Sequence, residues 1–299
     1  MYFLKRLFRT KALAEHYTSL AKEKCNQLKE KGISPSMAII LVGDNPASKI
    51  YIRHKSAMAE KLGIDAIVHQ LPADTALNSL KDTLSQLSNT DVSGILLQLP
   101  LPEHLTPYKQ DLIDVIPPEK DIDGLTTHNA GLLENGVFTG LKPATPIGIM
   151  RILEATHTPL KGKSVTVVGR SNVVGRPLAS MLSYADATVI TCHQATDDLA
   201  FFTRLSDIVI SAAGVPGLIT SAHIKQGASL IDVGTTRTKE KKLSGDILTK
   251  ECAKKARFVT PVPGGVGPMT IASLMTNIID AAYLSHGLKA PDWPAPHSS

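Results

Sequence analysis

Short apolar runs rich in Val, Ile and Leu alternate along the chain with longer stretches whose apolar residues recur every three or four positions. The short runs predict strands at 37–42, 66–71 and 94–99 in the first half, and at 164–168, 188–192, 208–212, 230–233 and 258–260 in the second. The longer stretches predict helices over 12–31, 47–62, 77–87, 147–155 and 269–284. Strands that take turns with helices argue for α/β architecture with parallel sheets. Their unbroken apolar character fits strands covered by helices on both faces. The segment 141–146, Leu-Lys-Pro-Ala-Thr-Pro, carries two prolines and marks a boundary. Three segments are therefore expected: a domain over 1–142, a Rossmann-type domain over 143–267, and a C-terminal segment over 268–299. The terminal helix follows the last Rossmann strand, so it is expected to pack back on the first domain and leave a cleft between the two, where ligands usually bind.

Composition narrows the class. A chain of 299 residues is long enough for two ordinary domains, and its aromatic content of 4% leaves the core to aliphatic residues. Cys25, Cys192 and Cys252 lie far apart and form no metal-ligand pattern, which predicts free thiols, a reducing compartment and no metal. The opening ten residues have an apolar core too short for a secretory signal; the segment is basic and free of acids until Glu15, which leaves a targeting peptide as an alternative, but helical patterning continues straight through it. The last apolar run contains Asn277 and Asp280 and is too short to cross a bilayer comfortably. A soluble cytoplasmic protein without a membrane partner is expected. The net charge of +5 is scattered, apart from small groups at Lys5-Arg6 and 239–242, and no aromatics interleave with it. Nucleic acid is not an expected partner, and small polyanionic ligands account for the balance as well.

Residues 261–270 read Pro-Val-Pro-Gly-Gly-Val-Gly-Pro-Met-Thr. Three prolines remove N–H groups and fix φ, while three glycines let a ligand approach the backbone closely. A tight strand-to-helix turn needs only one or two such residues, so the segment reads as a shaped wall against a flat or anionic ligand. Residues 164–177 hold a strand, then Gly169-Arg170-Ser171, then Gly175-Arg-Pro at a helix start. This resembles a dinucleotide fingerprint with Ser171 at the second glycine, and its task is to place phosphate on the turn and helix N-terminus. About twenty residues on, an NAD site offers an acid to the ribose hydroxyls. Here Thr191-Cys192-His193-Gln194 stands at that place and Arg170 lies on the turn. The missing acid and the guanidinium favour NADP; the alternatives are a solvent-facing Arg170 and an acid supplied by Asp197.

In Asn45-Pro46-Ala-Ser-Lys-Ile-Tyr51-Ile-Arg-His-Lys55, Asn45 suits a helix cap and Pro46 the first turn. At about 100° per residue, Tyr51, Lys55, Met58 and Leu62 share a face opposite Lys49, Arg53 and Glu60. Lys55 is then either a snorkelling lysine at the core edge or a desolvated amine of lowered pKa serving proton transfer. Gln98 is a polar amide ending an apolar strand, and Asp121-Ile-Asp123-Gly124 follows two prolines. Each alone has an ordinary structural reading, as a backbone cap or an Asp-Gly turn.

Together these segments closely resemble the bifunctional methylenetetrahydrofolate dehydrogenase/cyclohydrolase family. The resemblance runs from Val42-Gly-Asp-Asn-Pro-Ala-Ser48 and Tyr51/Lys55 through Gln98-Leu-Pro-Leu-Pro102 and Lys120-Asp-Ile-Asp-Gly124. It continues through Thr145-Pro146, Gly169-Arg-Ser171 and Gly175-Arg-Pro177 to 261–270, covering nearly the whole chain. It implies an N-terminal folate-handling domain, a Rossmann NADP domain and a homodimer. The implied chemistry is oxidation of 5,10-methylenetetrahydrofolate with NADP, then hydrolysis of the methenyl product to 10-formyltetrahydrofolate. Carried over by residue, Lys55 is the principal group of hydrolysis, Tyr51 positions folate and Lys55, Gln98 tunes the lysine, and Asp123 holds the amino-pyrimidine edge. Leu99, Pro263, Gly264 and Gly265 line the folate site, and Gly169, Arg170, Ser171, Gln194 and Thr235 bind the cofactor. The chain departs from the family pattern at Ala144 for Cys, Gln194 for Ser, Thr235-Thr236 for Ile-Asn, and Phe8-Arg-Thr-Lys11 for Asp-Gly-Lys. A different Rossmann dehydrogenase would not need Lys55, Gln98 and the Pro-Gly loop together, and a silent binding protein would not be expected to keep Lys55.

Overall fold

A computed structural model describes residues 6–237 and 243–296, so the basic group at 239–242 and Lys5 lie outside the described residues. The chain divides into two compact units, one of 16–144 with 271–294, the other of 6–15, 145–270 and 295–296.

The first half runs α1 (Lys11–Glu30), β1 (Ser36–Val42), α2 (Pro46–Leu62), β2 (Asp65–Leu71), α3 (Leu77–Ser88), β3 (Gly94–Leu97), α4 (Lys109–Ile113) and α5 (Thr127–Glu134). Its three strands pair in parallel in the order β2-β1-β3, with Met37 opposite both Ala66 and Gly94. Because strand side chains alternate faces, β1 feeds two cores at once. Met37, Ile39 and Leu41 join Ala21, Cys25 and Leu28 of α1, while Ala38, Ile40 and Val42 join Leu80 and Leu84 of α3. Strand β3 ends at Leu97, short of the expected residue 99: Gln98 N still donates to Ile40 O at 2.9 Å, but Pro100 has no N–H to continue the ladder. Asn45 caps α2 by accepting from the N–H groups of Ala47 and Ser48, and Gly63 closes it in the left-handed region at φ 78°.

The second half runs α6 (Ala144–Ala155), β4 (Ser164–Val168), α7 (Gly175–Tyr184), β5 (Thr188–Cys192), α8 (Leu199–Leu205), β6 (Ile208–Ser211), β7 (Ser229–Asp232), β8 (Thr236–Arg237), β9 (Leu243–Ser244), α9 (Thr249–Cys252), β10 (Phe258–Val259) and α10 (Val266–Ser285). Five strands form a parallel sheet in the order β10-β7-β6-β4-β5. The chain steps outward from β4 to β5 and then returns past β4 to β6, the strand-order reversal that defines a doubly wound sheet. The antiparallel β8-β9 pair was not anticipated: with two residues in each strand it leaves no period to read.

Helices α6 and α10 each open three residues earlier than expected. Helix α6 begins at Ala144 rather than 147, and α10 at Val266 rather than 269. Pro146 and Pro268 therefore sit in first turns, where a missing N–H leaves no bond unmade. Most of α10 belongs to the first unit, where Leu274, Met275, Ile278, Ile279, Ala281 and Ala282 are buried in the core beneath β1 and α1. Residues 6–15, expected with the first domain, group instead with the Rossmann unit. The reason is backbone pairing: Phe8 N donates to Val259 O at 3.0 Å, Thr10 N to Gly264 O at 3.1 Å.

Candidate functional site

On α2 the buried residues Ser48, Ile52, Ala59 and Leu62 form the inward stripe, and Lys55 falls within that stripe between Ile52 and Ala59. Of the face expected from the period, Leu62 is buried and Met58 packs partly buried against the core, while Tyr51 stands at the border, 44% exposed. The ammonium stem is half-buried, and Nζ donates to Gln98 Oε1 at 3.1 Å. Gln98 cannot rotate freely, because its Nε2 donates to Leu99 O at 2.7 Å, an oxygen that also accepts from Ser48 Oγ at 3.5 Å. The strand end thus presents a fixed carbonyl to Lys55.

Asp123 is the facing acid. Burial pushes its carboxyl above the usual carboxylate range; Lys55 draws it down and Asp121 pushes it further up. The loop that carries it is held at several points. Asp121 Oδ2 accepts from Thr126 N at 2.7 Å and Asn129 Nδ2 at 2.9 Å. Asn277 Nδ2 donates to Ile122 O and to Lys142 O, each at 2.8 Å. Gly124 has φ 66°, and a Cβ there would strike the backbone of Lys142 and Pro143. Asn277 was read from sequence only as a polar interruption of an apolar run. A buried amide in such a run needs hydrogen-bond partners, and that requirement is the signal for its role as a brace.

The remaining expected residues lie in the Rossmann unit. Gly264 adopts φ 98°, and Gly265 lies against Pro261 O and the Thr260 side chain with no room for a Cβ. The peptide bond before Pro263 is cis. Gly169 has φ 123°, a Cβ there would meet Ala212 O, and a Cβ on Gly175 would meet Gly169 O. Strand, turn and helix start are therefore packed backbone to backbone. The turn residues Arg170 and Ser171 are exposed, with Ser171 Oγ accepting from Val174 N at 3.2 Å. A turn with no room for a Cβ at Gly169 or Gly175, opening onto a helix N-terminus, fits a dinucleotide pyrophosphate. Gln194 is exposed beyond β5, where no acid ends the strand; Asp198 caps α8 by accepting from Phe201 N at 2.8 Å. Thr235 is exposed beyond β7. Thus Tyr51, Lys55, Gln98, Leu99 and Asp123 belong to one unit, and Pro263, Gly264, Gly265, Gly169, Arg170, Ser171, Gln194 and Thr235 to the other. Among the described residues no group of three or more His, Cys, Asp or Glu could hold a metal, and no helix is long and apolar enough to cross a membrane.

A doubly wound sheet with a glycine-tight first turn, together with an α/β unit carrying a lysine–amide–carboxylate cluster, defines a dinucleotide-dependent enzyme. Comparison with known proteins gives the family. Residues 8–123 match the tetrahydrofolate dehydrogenase/cyclohydrolase catalytic domain, and 143–286 match that family's NAD(P)-binding domain. The bifunctional protein FolD of Moorella thermoacetica is 47% identical over 273 residues, 91% of this chain and 96% of that one. The crystal structure of the Campylobacter jejuni FolD methylenetetrahydrofolate dehydrogenase/cyclohydrolase superposes with a TM-score of 0.91 at 42% identity, covering 93% of this chain and 99% of that one. The Trypanosoma brucei enzyme, solved with NADP cofactor and an inhibitor, superposes at 0.89 with 34% identity, covering 94% and 98%. The chain belongs to the tetrahydrofolate dehydrogenase/cyclohydrolase family: it is a bifunctional enzyme of one-carbon metabolism with a catalytic domain and an NAD(P)-binding domain.

Proposed function

We propose that the chain oxidises 5,10-methylenetetrahydrofolate with NADP and hydrolyses the methenyl product to 10-formyltetrahydrofolate, with Lys55 as the group that drives the second step. The observation that carries this reading is the Lys55–Gln98 pair at 3.1 Å on a buried helical stripe, electrostatically coupled to Asp123. The dinucleotide supplies the hydride acceptor. Hydride transfer asks the protein chiefly for alignment, since the folate nitrogens stabilise the cation that forms. Ring opening asks for more: water must attack the methenyl carbon while a proton is moved, and Lys55 Nζ is the titratable group held in place for it. Gln98 Oε1 fixes the direction of Nζ, and Tyr51, one turn earlier, positions folate beside it. Asp123 accepts N–H donors from the amino-pyrimidine edge, which favour its ionised form against the push of burial.

Pro263, Gly264 and Gly265 serve as folate-lining backbone, and Leu99 contributes beside Gln98. Gly169, Arg170 and Ser171 take the cofactor phosphates, with Gln194 and Thr235 on the ribose and nicotinamide sides. The exposed guanidinium of Arg170 and the absence of an acid ending β5 support NADP over NAD. Three buried free cysteines support a reducing, cytoplasmic setting, and a homodimer of this chain completes the proposal.

Lys55→Met tests the central assignment, because it keeps the apolar stem and removes the amine. Methenyltetrahydrofolate hydrolysis is expected to fall by about 100-fold or more, the range for a positioned acid–base group, while dehydrogenase activity falls less. Wild-type hydrolysis by a folded Lys55→Met protein would make Lys55 a packing residue.

A further inference from the structure

Two buried aspartates in the Rossmann unit take no part in the chemistry above. Asp232 ends β7 and is 1% exposed; Asp246 follows β9 and is 0% exposed. Every hydrogen bond they accept comes from a segment at the carboxyl end of the sheet or from the chain just beyond it. Asp232 Oδ1 accepts from Gly234 N at 3.1 Å and Asp246 N at 2.9 Å, and its Oδ2 accepts from Ile247 N at 2.9 Å. Asp246 Oδ2 accepts from Ser211 Oγ at 2.9 Å, Ala213 N at 2.7 Å and Gly214 N at 3.1 Å. Asp246 Oδ1 is buried and has no hydrogen-bond partner among the described residues. Thr236 Oγ1 then donates to Gly214 O at 3.0 Å, closing the circuit from the end of β7 to the end of β6.

This arrangement is costly. Burial pushes the Asp232 carboxyl up to about 6, against three backbone N–H groups that draw it down, and the neighbouring Asp246 carboxylate adds to the push. Two glycines make room for the pair: a Cβ on Gly234 would collide with the Asp246 carboxylate, and one on Gly245 with that of Asp232. A fold that needed only packing could fill this volume with aliphatic side chains more cheaply. What the carboxylates do that aliphatic groups cannot is fix the backbone N–H directions of 213–214 and 234. Those two loops follow β6 and β7, on the side of the strand-order reversal away from β5, where ligands bind beyond the carboxyl ends of a parallel sheet. The phosphate turn at Gly169 follows β4, the neighbour of β6 in the same sheet.

We infer that Asp246 and Asp232 are positioning residues that lock the loops 213–214 and 233–236 into one rim for the nicotinamide-bearing half of the dinucleotide. The inference rests on the cofactor reading above and adds two residues outside the cofactor contacts proposed there. The three hydrogen bonds at each aspartate make an asymmetric prediction for two substitutions that remove the same charge. In Asp246→Asn the amide oxygen keeps all three donors and the NH2 takes the place of Oδ1, which no donor faces. In Asp232→Asn both oxygens face backbone N–H groups, so an NH2 must oppose at least one of them.

The test is NADPH binding by fluorescence titration to the full chain, with methenyltetrahydrofolate hydrolysis as the control reaction, because that step consumes no dinucleotide. Asp246→Asn is expected to bind NADPH within about threefold of wild type, whereas Asp232→Asn and Asp246→Ala weaken binding by about tenfold or more, the scale of a lost buried hydrogen bond. Hydrolysis should stay within about threefold in all three, because Lys55, Gln98 and Asp123 are untouched and the step consumes no dinucleotide. If the alanine or Asp232 variant does not fold, Thr236→Val removes only the Oγ1–Gly214 bond at the surface and should weaken NADPH by about threefold to tenfold. Equal loss in the two asparagine variants would assign the effect to charge and overturn the positioning role. So would unchanged NADPH binding in Asp246→Ala or in Thr236→Val. A wild-type protein that binds no dinucleotide would instead overturn the functional reading on which this rests.

Discussion

Lys55, Gln98 and Asp123 show how single side chains acquire chemical meaning from burial and fixed partners. Gln98 is held by its own strand end, so its oxygen has one direction in which to meet an amine. Asp123 stands the other way, in an environment that penalises its charge in the absence of folate. A carboxyl raised on folding binds its proton more tightly folded than unfolded. Its contribution to stability is therefore full below the ordinary value of 3.8 and is lost as pH rises through the raised one. Asp123→Asn removes that penalty and the charged acceptor together. The variant should gain thermal stability relative to wild type as pH climbs above the carboxylate range, the gap levelling off once Asp123 is ionised. Folate affinity should fall by about tenfold to 100-fold, as expected for a hydrogen bond to a charged group. Melting curves of both proteins from acid to neutral pH check the sign. A gap that closes with rising pH would show that Asp123 is stabilised as the anion in the free protein.

At the scale of elements, most of the architecture is legible in the sequence because its signals are local. Strands at 164–168 and 188–192 match the structure residue for residue, since an apolar run flanked by turn residues has few alternatives. Helix α2 is legible at its start from Asn45 and Pro46, and the structure closes it at Gly63. The misses were of a different kind. Period alone put Tyr51, Lys55, Met58 and Leu62 on the α2 stripe; Leu62 is buried and Met58 packs partly buried against the core, but packing adds Ser48, Ile52 and Ala59 and leaves Tyr51 exposed. The pairing of 6–15 with the second unit, the brace from Asn277 to Ile122 and the Asp232–Asp246 circuit depend on contacts between residues far apart in sequence, which no local pattern encodes. The α2 cap gives a prediction at this scale. Asn45→Ala removes the acceptor for two N–H groups and should destabilise by about 1 kcal/mol, lowering Tm by about 2–4 °C. Asn45→Asp keeps the acceptor at a positive helix end and should hold Tm near wild type. Equal losses in both variants would mean that the cap contributes through something other than its side-chain oxygen.

Across the whole molecule the proposed site residues divide between the two units: Lys55 and Asp123 belong to one, and the glycine-tight turn at Gly169 to the other. The net charge of +5 suits a protein whose ligands are anionic, yet charge alone does not choose between NAD and NADP. On the proposed reading that choice falls to side chains near the ribose: Arg170 is exposed on the turn after β4, and the neighbouring strand β5 ends without an acid. A guanidinium forms paired, charge-assisted hydrogen bonds to a phosphate, so the role proposed for Arg170 rests on the one group NAD lacks. Arg170→Ala should therefore weaken NADP by about tenfold or more, the scale of a charged hydrogen bond, and leave NAD within about threefold. Methenyltetrahydrofolate hydrolysis should be unaffected, because Lys55 and Gln98 are untouched and the step consumes no dinucleotide. Initial rates with each cofactor, measured beside hydrolysis on one preparation, separate the outcomes. Parallel losses with NAD and NADP would place Arg170 on the shared pyrophosphate. Loss of hydrolysis as well would mean that the substitution had disturbed the fold rather than the choice of cofactor.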